Sequence, residues 1–214
     1  MRKLNHKTNK EKQKTLNNFK SNTMKKLPLL KTTTWLILSI TCLLINTINA
    51  QNIIPQGSSI NVFGTSNVHD WEIKATTITG EINLDAAKKI NGLTIKIPVA
   101  SLKSGNKIMD GKTYDAFEYK ENPTISFQLT DASPVKLTEN EAEITLTGNL
   151  TIAGETRSIS FKALVKINKS GDYQLKGAVP LKMTTFKIKP PTAFFGTMKT
   201  GDAVNVKFDI TFRG

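Results

Sequence analysis

Cysteine is almost missing from this chain. Cys42 is the only one in 214 residues, and it lies in an apolar stretch near the N-terminus. From Gln51 onward there is none, which excludes a disulfide framework and a thiol nucleophile there. Histidine is nearly as scarce, with His6 and His69 alone. A histidine-based metal site or a Ser-His-Asp relay in the body of the chain would have to run through His69. Asp70 follows it directly, and neighbours along a strand point to opposite faces. The two do not converge, so an ordinary hydrogen-bonding role is expected for His69. No glycine-rich phosphate loop and no Cys/His metal spacing occurs. Asp110, Asp115 and Glu118 lie close together in sequence, but clustered surface carboxylates read as solvated charges. Nucleophile, base and oxyanion donors are nowhere assembled. No catalytic residue, metal or other cofactor is therefore expected, and the composition argues against an enzyme.

Long apolar runs are also missing. The charge-free stretch Trp35–Ile45, WLILSITCLLI, falls short of the about 20 residues that a membrane-spanning helix needs. Before it lie ten of the chain's 30 Lys and Arg, against Glu11 alone among the 17 acidic residues. After it come small and polar residues, ending Asn49-Ala50-Gln51. A basic segment, a short apolar segment and a small residue before the cut make a secretory signal peptide. The expectation is a leader over residues 1–50, cleaved after Ala50, with Met24 as an alternative start and a retained anchor as the alternative fate. Cys42 follows Thr41, not the small residue of a bacterial lipobox, which argues against lipidation. Without the leader, 20 basic and 16 acidic residues remain, a net +4. The basic excess belongs mainly to the leader, and the remaining lysines are spread singly along the chain. Nucleic-acid binding is not expected.

Residues 51–214 are expected to form one domain, and most of it alternates with period two. Ile144, Leu146, Leu150 and Ile152 alternate with Thr145, Thr147, Asn149 and Thr151. Val204, Val206, Phe208, Ile210 and Phe212 do the same with Asn205, Lys207, Asp209 and Thr211. Similar runs cover Leu93–Val99, Ile125–Leu129, Ile159–Ile167 and Tyr173–Met183, and Ser58–Leu84 supplies two more, broken near Asn67. Period two places the apolar residues of each run on one face. Asn91-Gly92, Ala153-Gly154 and Asn168–Asp172 read as hairpin turns. Short strands with one apolar face, joined by hairpins, predict an antiparallel sheet that closes on itself. About eight strands give an interior that side chains fill or that holds one small ligand.

One segment breaks the pattern. Ser101–Asn122, SLKSGNKIMDGKTYDAFEYKEN, carries charge, glycine and a helix-like spacing of Ile108, Met109, Tyr114 and Phe117. A non-strand insert in an all-β chain suits the mouth of a barrel. The inward set is rich in large apolar residues, including Phe63, Phe194 and Phe195. A barrel capped by a partly apolar insert is a natural container for a long apolar ligand. The residues expected to line it are Trp71, Met109, Tyr114, Phe117, Phe127, Leu146, Phe161, Met183, Phe186 and Phe208.

Several of these runs resemble the YceI-like, polyisoprenoid-binding family. The resemblance is carried by Val99-Ala100-Ser101-Leu102-Lys103-Ser104-Gly105-Asn106, then Asp110 and Phe117, then Asn122-Pro123-Thr124-Ile125-Ser126-Phe127. Leu146–Arg157, LTGNLTIAGETR, is similar to the family's second hairpin, Phe63–Trp71 to the opening of one branch, and Gly201–Val206 to its last strand. In order and spacing the likeness covers nearly all of residues 58–213. It implies a lipocalin-like periplasmic barrel holding an isoprenoid or other long-chain lipid. The implied role is transport, storage or sensing. Partners implied are that lipid and a transient contact with a membrane, with a dimer left open. The alternatives are a structural or interaction barrel with no ligand, and a lipid-modifying enzyme working through His69 or an insert carboxylate. One departure stands out. Many members carry a D-x-H-L-[RK] motif where this chain has Asp110-Gly111-Lys112-Thr113-Tyr114, without the His or Arg.

Overall fold

The computed structural model describes residues 50–53 and 56–214. The leader expected over residues 1–50 lies outside the described residues except for Ala50. The alternating runs build twelve strands: β1 (Ala50–Asn52), β2 (Ser59–Ser66), β3 (Trp71–Ala75), β4 (Thr79–Leu84), β5 (Ile90–Pro98), β6 (Leu102–Lys103), β7 (Thr124–Ala132), β8 (Ala142–Ile152), β9 (Glu155–Ile167), β10 (Tyr173–Lys182), β11 (Thr192–Ala193) and β12 (Met198–Phe212). One helix, α1 (Lys107–Ala116), interrupts them among the described residues. Every strand pairing is antiparallel.

Eight staves make the ring. β3 and β4 are halves of one strand bent at residues 76–78, and β5 and β6 are halves of another bent at the 3-10 turn Val99–Ser101. The two bent strands pair along both halves, β4 with β5 and β3 with β6. The ladder then runs β5-β7-β8-β9-β10-β12-β2-β3 and meets the bent pair again. Ser101 holds the corner. Its carbonyl accepts from the Thr76 backbone N–H and the Thr76 hydroxyl, both at 2.9 Å, and its own hydroxyl donates to the Pro98 carbonyl at 2.7 Å. A buried serine is tolerated here because its polar atoms are satisfied. The short β1 and β11 lie outside the ring. β1 covers the free edge of β4, Ile53 bridges to Phe212, and the Arg213 N–H donates to the Asn52 carbonyl at 2.9 Å. An edge left open there would invite pairing with another chain.

Two of the three expected turns form. Ala153 and Gly154 both have positive φ, 48° and 75°, as a two-residue hairpin that follows the strand twist requires. Asn168–Asp172 closes the next hairpin, with the Gly171 N–H on the Asn168 carbonyl at 2.8 Å. Asn91-Gly92 is not a turn. Both residues lie inside β5, with Gly92 opposite Asn83. The reversal comes earlier, where the Asp85 carboxylate accepts the N–H groups of Ala87 and Lys89 at 2.8 and 2.9 Å. An aspartate turn captures the chain before the Asn-Gly pair is reached.

The interior is packed at one end. Ile82, Ile90, Leu137, Ile144, Leu146, Val165, Tyr173 and Phe212 are buried there. The loop over residues 133–141 closes that end, its Leu137 N–H on the Lys88 carbonyl and its Thr138 carbonyl accepting from Ile167. The opposite end carries α1, the 67–70 loop and the segment from 183 to 197.

Candidate functional site

Behind α1 the ring encloses a cavity of about 370 Å³. A single water needs only about 10–15 Å³ of such volume, so this is no packing defect. It lies within the size range of ligand pockets. The inner faces of the strands supply its wall, with Ile95 and Ile97 of β5, Val62 of β2 and Val206 of β12 among its residues.

The floor is aromatic. Phe127, Phe161 and Phe208 stand in a row, with edge-to-face ring centroids 5.6 and 5.8 Å apart. Inward-facing glycines underlie the wall aromatics. A Cβ on Gly148 would meet Phe127 Cζ at 2.5 Å, one on Gly177 would meet Phe208 Cζ at 2.7 Å, and one on Gly64 would meet Trp71 Cζ2 at 2.1 Å. Each ring occupies the space that a side chain at the glycine would take. Trp71 is fixed further by its indole N–H, which donates to the Thr65 carbonyl at 2.9 Å.

The helix that closes the mouth is locally specified. Asn106 caps it, its side-chain oxygen accepting from the N–H groups of Ile108 and Met109 at 2.9 and 3.2 Å. Asp110 reaches back to the Ser104 hydroxyl and N–H at 2.6 and 2.7 Å, a carboxylate in the first turn where the helix dipole favours it. Met109, Thr113, Ala116 and Phe117 face the cavity. They are spaced i, i+4, i+7 and i+8, one stripe of an α-helix.

Of the residues expected to line the cavity, Trp71, Met109, Phe117, Phe127, Phe161, Met183, Phe186 and Phe208 are on its wall, and Tyr114 and Leu146 are not. Tyr114 sits five residues beyond Met109, off the inner stripe. Its hydroxyl lies 3.2 and 3.1 Å from the carbonyls of Ala100 and Leu102 and accepts from Lys103 Nζ. That bond raises the Lys103 pKa above its ordinary value. Tyr114 is thus a strut holding the helix to the β5–β6 corner. Leu146 is fully buried opposite Phe161, but it belongs to the packed end. Three of the phenylalanines placed inward are not inside. Phe63 faces an outer groove with Lys207 Nζ 4.9 Å from its ring centroid, Phe194 is on the rim, and Phe195 projects from the protein.

Lys112 and Lys182 are the only charged side chains on the cavity wall among the described residues. The periodicity of the strands gave no sign of either. The segment carrying Met183 and Phe186 is a 3-10 turn, Met183–Phe186. Asp202 holds it, accepting the Thr184 N–H at 2.9 Å and hydroxyl at 2.8 Å; these bonds lower the Asp202 pKa below the ordinary carboxylate value. His69 lies at the mouth with Nδ1 2.8 Å from the Asp70 carbonyl. Among the described residues no three His, Cys, Asp or Glu side chains gather as a metal site needs.

The family and its fold are shown by comparison. The family model described as YceI-like domain matches residues 52–212, and the chain belongs to that family. Solved structures with the same fold include Burkholderia cenocepacia BcnA, at 21% identity and TM-score 0.64, covering 74% of this chain and 98% of that one. A structure described as a polyisoprenoid binding domain from Saccharophagus degradans implicated in plant cell wall breakdown has 12% identity and TM-score 0.62, covering 78% of this chain and 99% of its own. The Campylobacter jejuni YCEI protein follows at 22% identity and TM-score 0.54, covering 66% and 84%. None of the curated proteins matches the chain.

Proposed function

We propose that this YceI-like protein binds a long apolar, isoprenoid-like lipid with its chain inside the barrel and its polar end at the mouth. The observation that carries the reading is the cavity: apolar along its depth, closed at one end, and charged only where Lys112 and Lys182 stand at the opening. A fully packed interior would have favoured a barrel without a ligand. Burying the chain yields about 25 cal/mol per Å² of apolar surface removed from water, partly offset by the freedom lost on association. The lysines add attraction for an anionic head group, and Lys112 stands where the family's pattern has His. The solved relative described as polyisoprenoid-binding supports the choice of lipid class. The signal-like leader supports export to the periplasm or the medium, where such a protein carries, stores or senses its lipid without transforming it.

The test is extraction of the protein purified from its own host, with mass spectrometry of what co-purifies, followed by titration with a prenyl phosphate and a prenyl alcohol of equal length. A bound prenyl or other long-chain lipid, taken up again after delipidation, is expected. The phosphate should bind more tightly than the alcohol. No co-purifying lipid and no uptake of either compound would overturn the reading.

A further inference from the structure

The segment after β10 does something the cavity does not need. Phe194 and Phe195 have left-handed backbones, φ 49° and 55°, followed by Gly196 at 85°. Left-handed conformations are costly for residues with a Cβ and persist where surrounding structure enforces them. Here the enforcement is visible. β11 pairs with β12 through Thr192 and Lys199, the Thr197 N–H and hydroxyl both donate to the Phe194 carbonyl, and Asn67 clamps the far side through the Thr197 carbonyl and the Lys199 N–H at 2.8 Å each. The result of this strain is exposure: Phe194 is 68% exposed and Phe195 completely so. Val68, on the clamped 67–70 loop, and Ile108, on the first turn of α1, are 62% and 70% exposed. These are the three segments that surround the mouth. Stability alone does not favour four large apolar side chains in water around one opening.

The charge along the 182–200 segment is one-sided. From Lys182 to Thr200 the chain has four lysines, Lys182, Lys187, Lys189 and Lys199, and no acidic residue. Lys187 is paired with Glu155 at 2.7 Å. Lys182, Lys189 and Lys199, with Lys107 and Lys112 of α1, have no carboxylate within ion-pair distance among the described residues. The carboxylates of the rim are Asp70, Asp110 and Asp115, with Asp202 beneath it; Asp110 is engaged by Ser104 and Asp202 by Thr184. Apolar side chains ringed by unpaired lysines match an interface of acyl chains beneath anionic head groups.

We infer that the mouth docks on an anionic phospholipid surface, with Phe195, Phe194, Val68 and Ile108 inserted among the head groups and the lysines on the phosphates. This rests on the lipid-binding reading and deepens it, because a docked mouth lets a lipid pass between bilayer and barrel without crossing water. The purified protein is tested by flotation with vesicles of phosphatidylglycerol and phosphatidylethanolamine, and with vesicles of phosphatidylcholine alone. Binding to the anionic vesicles is expected and should weaken as salt rises. Phe195→Asn tolerates a positive φ and lies outside the cavity wall. It should reduce vesicle binding at least tenfold, Val68→Ser should reduce it further, and uptake of a prenyl lipid in detergent solution should be unchanged. Vesicle binding unaltered by both substitutions, or absent in the wild type, would overturn the inference while leaving the cavity reading intact. So would a wild-type dimer that Phe195→Asn converts to monomer with no change in vesicle binding, which would assign the patch to a second copy of this chain.

Discussion

The pairing of Trp71 with Gly64 is the sharpest place to challenge the cavity's construction. A Cβ at residue 64 would stand 2.1 Å from Trp71 Cζ2 and 2.6 Å from Cε2 and Cη2, whereas carbon atoms settle at about 3.5–4.0 Å. The indole must therefore retreat by more than about 1 Å in Gly64→Ala, which strains the Nε1 bond to the Thr65 carbonyl, 2.9 Å in the native protein. Overpacking of this kind costs about 1–3 kcal/mol, and the compromised hydrogen bond adds about 1 kcal/mol. Alanine gains about 0.4–1 kcal/mol through the unfolded chain, too little to reverse the sign. The net loss is about 1–3.5 kcal/mol, a fall of about 2–14 °C in Tm at about 2–4 °C per kcal/mol for a domain of this size. Thermal unfolding by circular dichroism measures it. The control is a double-mutant cycle with Trp71→Leu: without the indole, Gly64→Ala should cost little, a coupling of at least about 1 kcal/mol. Trp71 is the single tryptophan of residues 50–214, so its emission should shift in the single variant as well. A Gly64→Ala protein as stable as the wild type, or strictly additive effects in the cycle, would show that the ring does not lie on the glycine.

Leu146→Ala and Phe161→Ala should part company despite their shared rung. Both should lose stability, about 2–5 and 3–5 kcal/mol in denaturant titrations, but only Phe161→Ala should change prenyl-lipid affinity, because Leu146 is off the cavity wall. Tyr114→Phe removes the strut between α1 and the β5–β6 corner; at about 1 kcal/mol, hydrogen exchange over residues 107–116 should quicken about fivefold, and unchanged protection would refute that role. Asp202 gives a pH signature. Its pKa is lowered in the folded protein from the ordinary 3.8, so its contribution is complete above that value and disappears as pH falls through the lower folded one. The stability gap between wild type and Asp202→Asn should hold steady above pH 4 and shrink in more acid solution; a gap independent of pH would sink the assignment.

Strand faces were legible in the sequence because period two depends only on the backbone. Depth along the barrel was not. Leu146 and Phe161 share a face and a rung, and alternation cannot tell the packed end from the cavity. The helix was more legible than the expectation made of it. Met109, Thr113, Ala116 and Phe117 keep the strict spacing of one stripe, and that spacing excludes Tyr114. The Asn91-Gly92 pair misled because a turn dipeptide competes with its surroundings, and Asp85 reverses the chain first. Their apolar character alone points Phe194 and Phe195 to the core. Only the two positive φ angles, which local sequence does not encode, turn them outward.

The cavity itself is a consequence of where small residues were placed. Gly64, Gly148 and Gly177 occupy inward positions that β-branched residues would ordinarily fill, and each receives an aromatic ring from a neighbouring strand. The rings thereby fill the space that larger residues at these positions would take. That arrangement is expensive if nothing fills it. Across a cavity of about 370 Å³ the lining side chains lack the packing partners that a filled core supplies. An apolar chain lying along the floor restores the contacts that the glycines gave up. Because the far end is packed, a bound chain would have to enter through the mouth, between α1 and the 183–197 segment. On the proposed lipid-binding reading, selection would fall to rim residues, Lys112 and Lys182 among them, while the floor of Phe127, Phe161 and Phe208 would accept any chain of suitable thickness.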